Sequence, residues 1–259
     1  MNEWLLLLLV CLGAFFAGFM DAVVGGGGLI QVPLLMLLFP ELSHVQIIAT
    51  NRMASVAGTA VAAFQYLKAI GIDTAVVLIA GSSAAIASFS GTFVMQLIPP
   101  DVFKPMLLGV IAILAIYTFI KKDLGSTHTL KYQGSTYLLV CAGIGGAIGF
   151  YNGFIGPGTG SLLIFAFVSI AGMSFLHASA SSKIVNALAD GASLIGFLIN
   201  KAVIFKLALP MMASNMLGAY VGSKAAILKG NAFIRYLFLV VIGLLMLRLI
   251  WDLVAEWIH

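Results

Sequence analysis

Two glycine-rich interruptions, one in each half of the chain, fall inside long apolar runs that carry almost no charge. The first is Gly18-Phe19-Met20-Asp21-Ala22-Val23-Val24-Gly25-Gly26-Gly27-Gly28. The second, 131 residues on (149 − 18), is Gly149-Phe150-Tyr151-Asn152-Gly153-Phe154-Ile155-Gly156-Pro157-Gly158-Thr159. Glycine weakens a helix and leaves backbone groups open to a ligand. In hydrocarbon, such backbone survives only where it is buried in protein or lines a cavity. A break of this kind, at corresponding positions of two halves, points to a transporter binding site.

Hydrocarbon is the expected surrounding. Of 259 residues only 8% are charged and 62% are hydrophobic, with a mean hydropathy of +1.13. A soluble domain carries about 25% charged residues. The chain therefore reads as an all-α, polytopic membrane protein. The formal net charge of +4 fits basic loops beside a bilayer and gives no reason to expect a nucleic-acid partner. Cys11 and Cys141 lie in apolar runs, as packing residues would, and no Cys/His cluster has metal-ligand spacing. No metal or cofactor is expected. The first apolar run lacks a preceding Lys or Arg, so it is expected to be retained rather than cleaved as a signal peptide.

Charges, prolines and glycines cut the chain into eight units, roughly 4–39, 43–68, 72–98 and 101–121, then 135–170, 174–200, 205–228 and 231–257. A span needs about 20 apolar residues, so the first unit of each half is too long for a single crossing. Each is expected to be a broken helix or re-entrant hairpin. The offset of 131 persists without a gap: Arg52 falls on Lys183, Ser55 on Asn186, Thr59 on Asp190, Gly91 on Gly222 and Lys104 on Arg235. Two internal repeats follow, residues 1–130 and 131–259. The basic loop residues divide seven to four whether the repeats are inverted or parallel, so the positive-inside rule does not choose. Inversion is preferred because inverted repeats commonly build midplane sites. It would place the central loop in the cytoplasm and both termini outside.

Arg52 comes about nine residues into its helix, and Lys183 holds the same place in the second half. An ionisable residue inside a membrane is a functional-site hypothesis by default. Arg52, Ser55 and Thr59 share one helical face, and Lys183, Asn186 and Asp190 share the matching one. Helices beginning after the breaks, at Leu29 and Leu162, would present backbone N–H groups and a partial positive charge suited to an anion. The expected substrate-binding set is Gly25, Gly26, Gly27, Gly28, Asn51, Arg52, Ser55, Gly156, Gly158, Thr159, Gly160, Ser182, Lys183 and Asn186.

Asp21 and Asp190 are the acids well inside the apolar units and are candidates for proton coupling. A structural alternative pairs them with Arg52 and Lys183. A mixed one has the acids hold the cations until substrate arrives. Asp21 faces Asn152 across the repeat, so symmetry does not require the acid. His44 and His177, near helix starts, read as capping or interfacial. Ser214 and Asn215 read equally as cavity lining or helix–helix contacts.

These motifs resemble the TauE/SafE sulfite exporter family, also called TSUP. The resemblance covers essentially the whole chain. It rests on both glycine stretches with Leu29 and Pro33, on Ala49-Thr50-Asn51-Arg52, and on Ala180-Ser181-Ser182-Lys183 with Asn186. It implies an inner-membrane, multi-pass carrier of small sulfur-containing anions such as sulfite, sulfoacetate or related organosulfonates. Family members usually have Lys where Arg52 stands, and often Asp where Asn152 stands. The expected function is a secondary transporter working by alternating access, as a monomer or homodimer in the lipid bilayer, with protons as a possible partner. An anion channel, a proton-coupled carboxylate carrier, a cation–proton antiporter and a membrane enzyme stay open beside it. No catalytic residue is expected.

Overall fold

The computed structural model describes residues 3–99, 102, 109 and 128–258, with side chains as far as residue 237 and at residue 240. These residues form helices joined by short connections, without a strand among them. In order they are α1 (Glu3–Val24), α2 (Gly27–Leu38), α3 (His44–Ala69), α4 (Thr74–Met95), α5 (Gly134–Phe154), α6 (Thr159–Ala166), α7 (Phe175–Ile199) and α8 (Phe205–Ile258). A π-helical turn, Phe167–Ala171, extends α6. Apart from residues 102 and 109, the unit expected over 101–121 lies outside the described residues. Five described helices, α1, α3, α4, α5 and α7, are long and apolar enough to cross a membrane. The unit boundary expected between 228 and 231 falls on Gly230, where the backbone leaves helical geometry (φ 69°, ψ −160°).

Helix starts keep the repeat spacing. His44 and Phe175, and Thr74 and Phe205, are each 131 residues apart (175 − 44, 205 − 74). The caps explain part of this. Ser43 accepts from the Gln46 N–H at 3.3 Å while the Gln46 side chain accepts from the Ser43 N–H at 3.1 Å, a capping box. Ser174, its counterpart, caps α7 by accepting from the His177 N–H. Asp73 caps α4.

The long first unit of each half is a helical hairpin. Gly13 of α1 packs on Leu34 of α2, and Gly27 packs on Ala17 and Asp21, so α2 folds back along α1. With 12 residues, α2 is about 18 Å long and returns only part-way through about 30 Å of hydrocarbon. The second helices begin at Gly27 and Thr159, not at the expected Leu29 and Leu162. Gly26 and Gly158 take the N-cap positions, which draws the residues behind them into the first turn.

Packing runs across the halves. On α1 and α8, Asn215 Nδ2 donates to the Ala14 carbonyl at 3.2 Å and Gly222 sits against Phe19. Between α3 and α8, the N–H of Ile204, just before α8, donates to Thr50 Oγ1 at 3.1 Å, and Gln65 Nε2 donates to the Tyr220 carbonyl at 3.2 Å. Both pairings ascend together, so α1, α3 and α8 run the same way. Gly145, Gly149 and Gly153 of α5 meet Ala80, Ala84 and Ser88 of α4. Gly81 and Thr92 of α4 meet Leu188 and Gly196 of α7. These three helices also share a direction. Small residues at such contacts let backbones approach closely.

Candidate functional site

The two hairpin tips touch. Gly25, at φ 79°, turns α1 into α2 in the left-handed region that favours glycine. A Cβ there would lie 2.1 Å from the Gly160 carbonyl carbon, and one on Gly160 would lie 2.5 Å from the Gly25 Cα. Ser161 fastens the contact. Its N–H donates to the Gly25 carbonyl at 3.1 Å and its hydroxyl to the Val24 carbonyl at 2.8 Å. Tyr66 braces the first tip through the Ala22 carbonyl (3.1 Å), and Tyr151 the second through the Pro157 carbonyl (2.5 Å).

Each midhelix cation reaches into the opposite half. Arg52 of α3 is 4% exposed. Its Nη1 donates to Asp190 Oδ1 of α7, and its Nη2 to the Asn152 carbonyl at 2.6 Å. The guanidinium lies directly against Gly156. Lys183 of α7, fully buried, donates to Asp21 Oδ2 of α1 at 3.0 Å. Asp21 also accepts from Thr59 Oγ1 at 3.3 Å. The pairs Arg52–Asp190 and Lys183–Asp21 therefore tie one half to the other. They also orient α7 against α3. Asp190 meets Arg52, while Lys183, seven residues earlier, shares Asp21 with Thr59, seven residues after Arg52. The two helices run in opposite directions.

The clusters correspond across the repeat. Asp21, Thr59 and Lys183 map onto Asn152, Asp190 and Arg52 by the offset of 131. Each holds one acid, one cation and one neutral polar residue. Only the acid's place changes, from the end of the hairpin helix to the long helix. Asn152 supplies what Asp21 cannot. Its Nδ2 donates to Asp190 Oδ1 at 2.8 Å and to Asn186 Oδ1 at 3.2 Å, and its Oδ1 accepts from Ser88 at 2.8 Å. Asn186 Nδ2 adds a bond to Asp190 Oδ2 at 3.0 Å. A buried carboxylate facing a cation and two amide donors has the partners that a buried charge needs.

Between the tips and these clusters lies a polar cavity of ≈ 20 Å³, room for about one water. Of the residues expected at the site, Gly25, Gly27, Gly28, Asn51, Arg52, Ser55, Gly156, Gly158, Thr159, Gly160 and Asn186 line it, together with Asp21 and Asp190. Gly26, Ser182 and Lys183 do not. Ser182 instead bonds the Ser179 carbonyl of its own helix at 2.9 Å. Asn215 lines the cavity and braces α1 as well. Gln31, absent from the sequence reading, lines it too. Its signal was a polar side chain in an apolar helix at i+3 and i+4 from Gly28 and Gly27, on the face of the tip. A larger cavity of ≈ 470 Å³, among Trp4, Leu7, Phe39, Leu42 and Leu207, is mainly apolar. No three His, Cys, Asp or Glu side chains among the described residues are grouped to hold a metal ion.

The sulfite exporter TauE/SafE family matches residues 10–249. A probable membrane transporter protein of Haemophilus influenzae is 31% identical over 98% of this chain and 97% of its own length. YfcA of Escherichia coli, also named a probable membrane transporter protein, is 28% identical over 92% and 87%. ORF9 of a Sinorhizobium species, named likewise, is 31% identical over 95% and 93%. No solved structure matches the chain. With the family's similarity extending along almost the whole chain, and with relatives named probable membrane transporter proteins, this protein belongs to the TauE/SafE sulfite exporter family.

Proposed function

We propose that the chain is a secondary carrier that moves a small sulfur-containing anion, such as sulfite, sulfoacetate or a related organosulfonate, across the inner membrane by alternating access. The observation that carries this reading is the crossed pairing of Arg52 with Asp190 and of Lys183 with Asp21 beside two touching helix N-termini. The acids hold the cations while the site is empty. An arriving oxyanion competes for Arg52, whose fork suits two oxygens, and for the N–H groups at the tips. Once the carboxylates are displaced, the ties between the halves loosen and the site can open. The present cavity is too small for such an anion, as a closed resting state requires.

The reading places two repeats, 1–130 and 131–259, in inverted orientation. The opposite directions of α1, α3 and α8 against α4, α5 and α7 support it. Asp21 and Asp190 are the proton-coupling candidates. With both ionised the four groups sum to zero, and with both protonated to +2, so proton uptake favours a dianion. A proton-coupled carrier of a small carboxylate is the same machine with another cargo. The protein works as a monomer or homodimer and carries no catalytic centre.

Thermal stabilisation of the purified protein by sulfite, thiosulfate, sulfoacetate, taurine, acetate and phosphate tests this reading, each repeated with Arg52→Ala. Ligand that binds only the folded state raises apparent stability. A selective rise that disappears in the variant is expected. A flat response to every anion would leave Arg52 a structural tie and remove the carrier reading.

A further inference from the structure

Gln31 is 1% exposed, lines the polar cavity, and has both its Nε2 and its Oε1 buried without a hydrogen-bond partner among the described residues. Two more buried atoms in the same cavity lining share that condition, Asn51 Oδ1 and Arg52 Nε. The Asn51 amide lies over the first turn of α2, 3.7 Å from where a Gly28 Cβ would be. Buried polar groups in folded proteins are normally bonded, and those that are not need a reason. Here three side chains with orphaned groups converge on one small cavity.

The inventory is specific. Arg52 Nε and one end of the Gln31 amide donate, while the other end of Gln31 and Asn51 Oδ1 accept. However its amide is turned, Gln31 brings one donor and one acceptor. A bare oxyanion only accepts. It would satisfy Arg52 Nε and the Gln31 NH₂ and would press its remaining oxygens against amide oxygens. An anion with a hydroxyl or ammonium beside its charged head satisfies both kinds of group at once. The second half has no such corner, because the repeat counterpart of Gln31 is Leu162.

We infer that the cargo of this site is a small anion with its own hydrogen-bond donor, a hydroxy- or amino-substituted sulfonate or carboxylate, and that Gln31 reads the donor. The inference rests on the anion-site reading above. The anionic head lies toward the Arg52 guanidinium, and the donor end points to Gln31 and Asn51 on the first hairpin. A site built around a substrate hydrogen bond discriminates strongly against the analogue that lacks it.

Matched ligands of one skeleton test it by calorimetric titration of the full-length protein in detergent: ethanesulfonate, 2-hydroxyethanesulfonate and 2-aminoethanesulfonate, with acetate against glycolate as the carboxylate pair. At least one donor-bearing ligand is expected to bind about tenfold or more tightly than its matched analogue, as a net gained hydrogen bond or two would give. In Gln31→Met the preference should shrink to about twofold. Equal affinity of the matched ligands for the wild type would overturn the inference and leave the anion site standing, with water as the occupant of the Gln31 corner. A preference that survives in Gln31→Met would overturn the assignment to Gln31. Absence of binding by every anion would remove the anion site and this inference together. The wild-type comparison needs no variant, so a poorly folding Gln31→Met does not shelter the idea.

Discussion

Replacing Gly25 by alanine should loosen the junction on which the two hairpins rest, and its size can be worked from the geometry. The backbone there sits at φ 79°, and a side chain in the left-handed region costs about 1–2 kcal/mol. The new Cβ would lie 2.1 Å from the Gly160 carbonyl carbon. That neighbour is backbone and cannot turn aside, so the tips must separate. Separation stretches the two bonds made by Ser161, at 3.1 Å and 2.8 Å, each worth about 0.5–1.5 kcal/mol. The total is about 2–5 kcal/mol. Near 3 kcal/mol, melting should fall by about 6–12 °C, using the slope of about 2–4 °C per kcal/mol for chains of 150–250 residues. Gly160→Ala meets the Gly25 Cα at 2.5 Å without a positive φ, so it should lose only the contact part. Gly71→Ala has nothing within 4 Å and should change stability by less than about 0.5 kcal/mol. Thermal unfolding followed by tryptophan fluorescence separates the three. Gly25→Ala melting with the wild type, or Gly71→Ala falling as far as it does, would refute the reasoning.

Arg52→Ala should abolish transport in proteoliposomes and destabilise by about 3–5 kcal/mol, because Asp190 is left charged and buried. Arg52→Ala with Asp190→Ala should recover most of that stability and none of the transport; a single variant as stable as the wild type would show that the pair is not a tie. Asp21→Asn should flatten the pH dependence of uptake if Asp21 relays the proton, and an unaltered profile would end that role. Gln31→Met should raise the melting temperature of the ligand-free protein, since it removes an amide that makes no bonds among the described residues. A fall would argue that Gln31 has a structural partner.

The helix plan was legible because it is written as a period. Starts at His44 and Phe175 follow serines at equivalent positions, and the breaks fall where glycines crowd. The start of α2 was misplaced because Gly27 and Gly28 read as breakers, yet a glycine in a first turn costs little once Gly26 caps the helix. The polar faces of α3 and α7 were legible from helical spacing. The partners of their cations were not fixed by it. Lys183 and Asp190 share a helix face but lie about 10 Å apart along the axis, and the bonds actually made cross 138 and 162 residues. Gln31 is not marked by the repeat, which offers only Leu162 opposite it.

The packing of α1 on α8 also sets a timetable for biogenesis. Gly18 finds its neighbour, Asn215, only after another 197 residues (215 − 18) have been made. At about 5–20 residues per second, that wait is about 10–40 s. During it the first helix stays in the bilayer with its glycine face covered by lipid or by the insertion machinery. Closure of the core is thus a late event in synthesis. Premature termination before α8 would leave the α1 face that carries Gly18 without its partner, a natural signal for membrane quality control to act on.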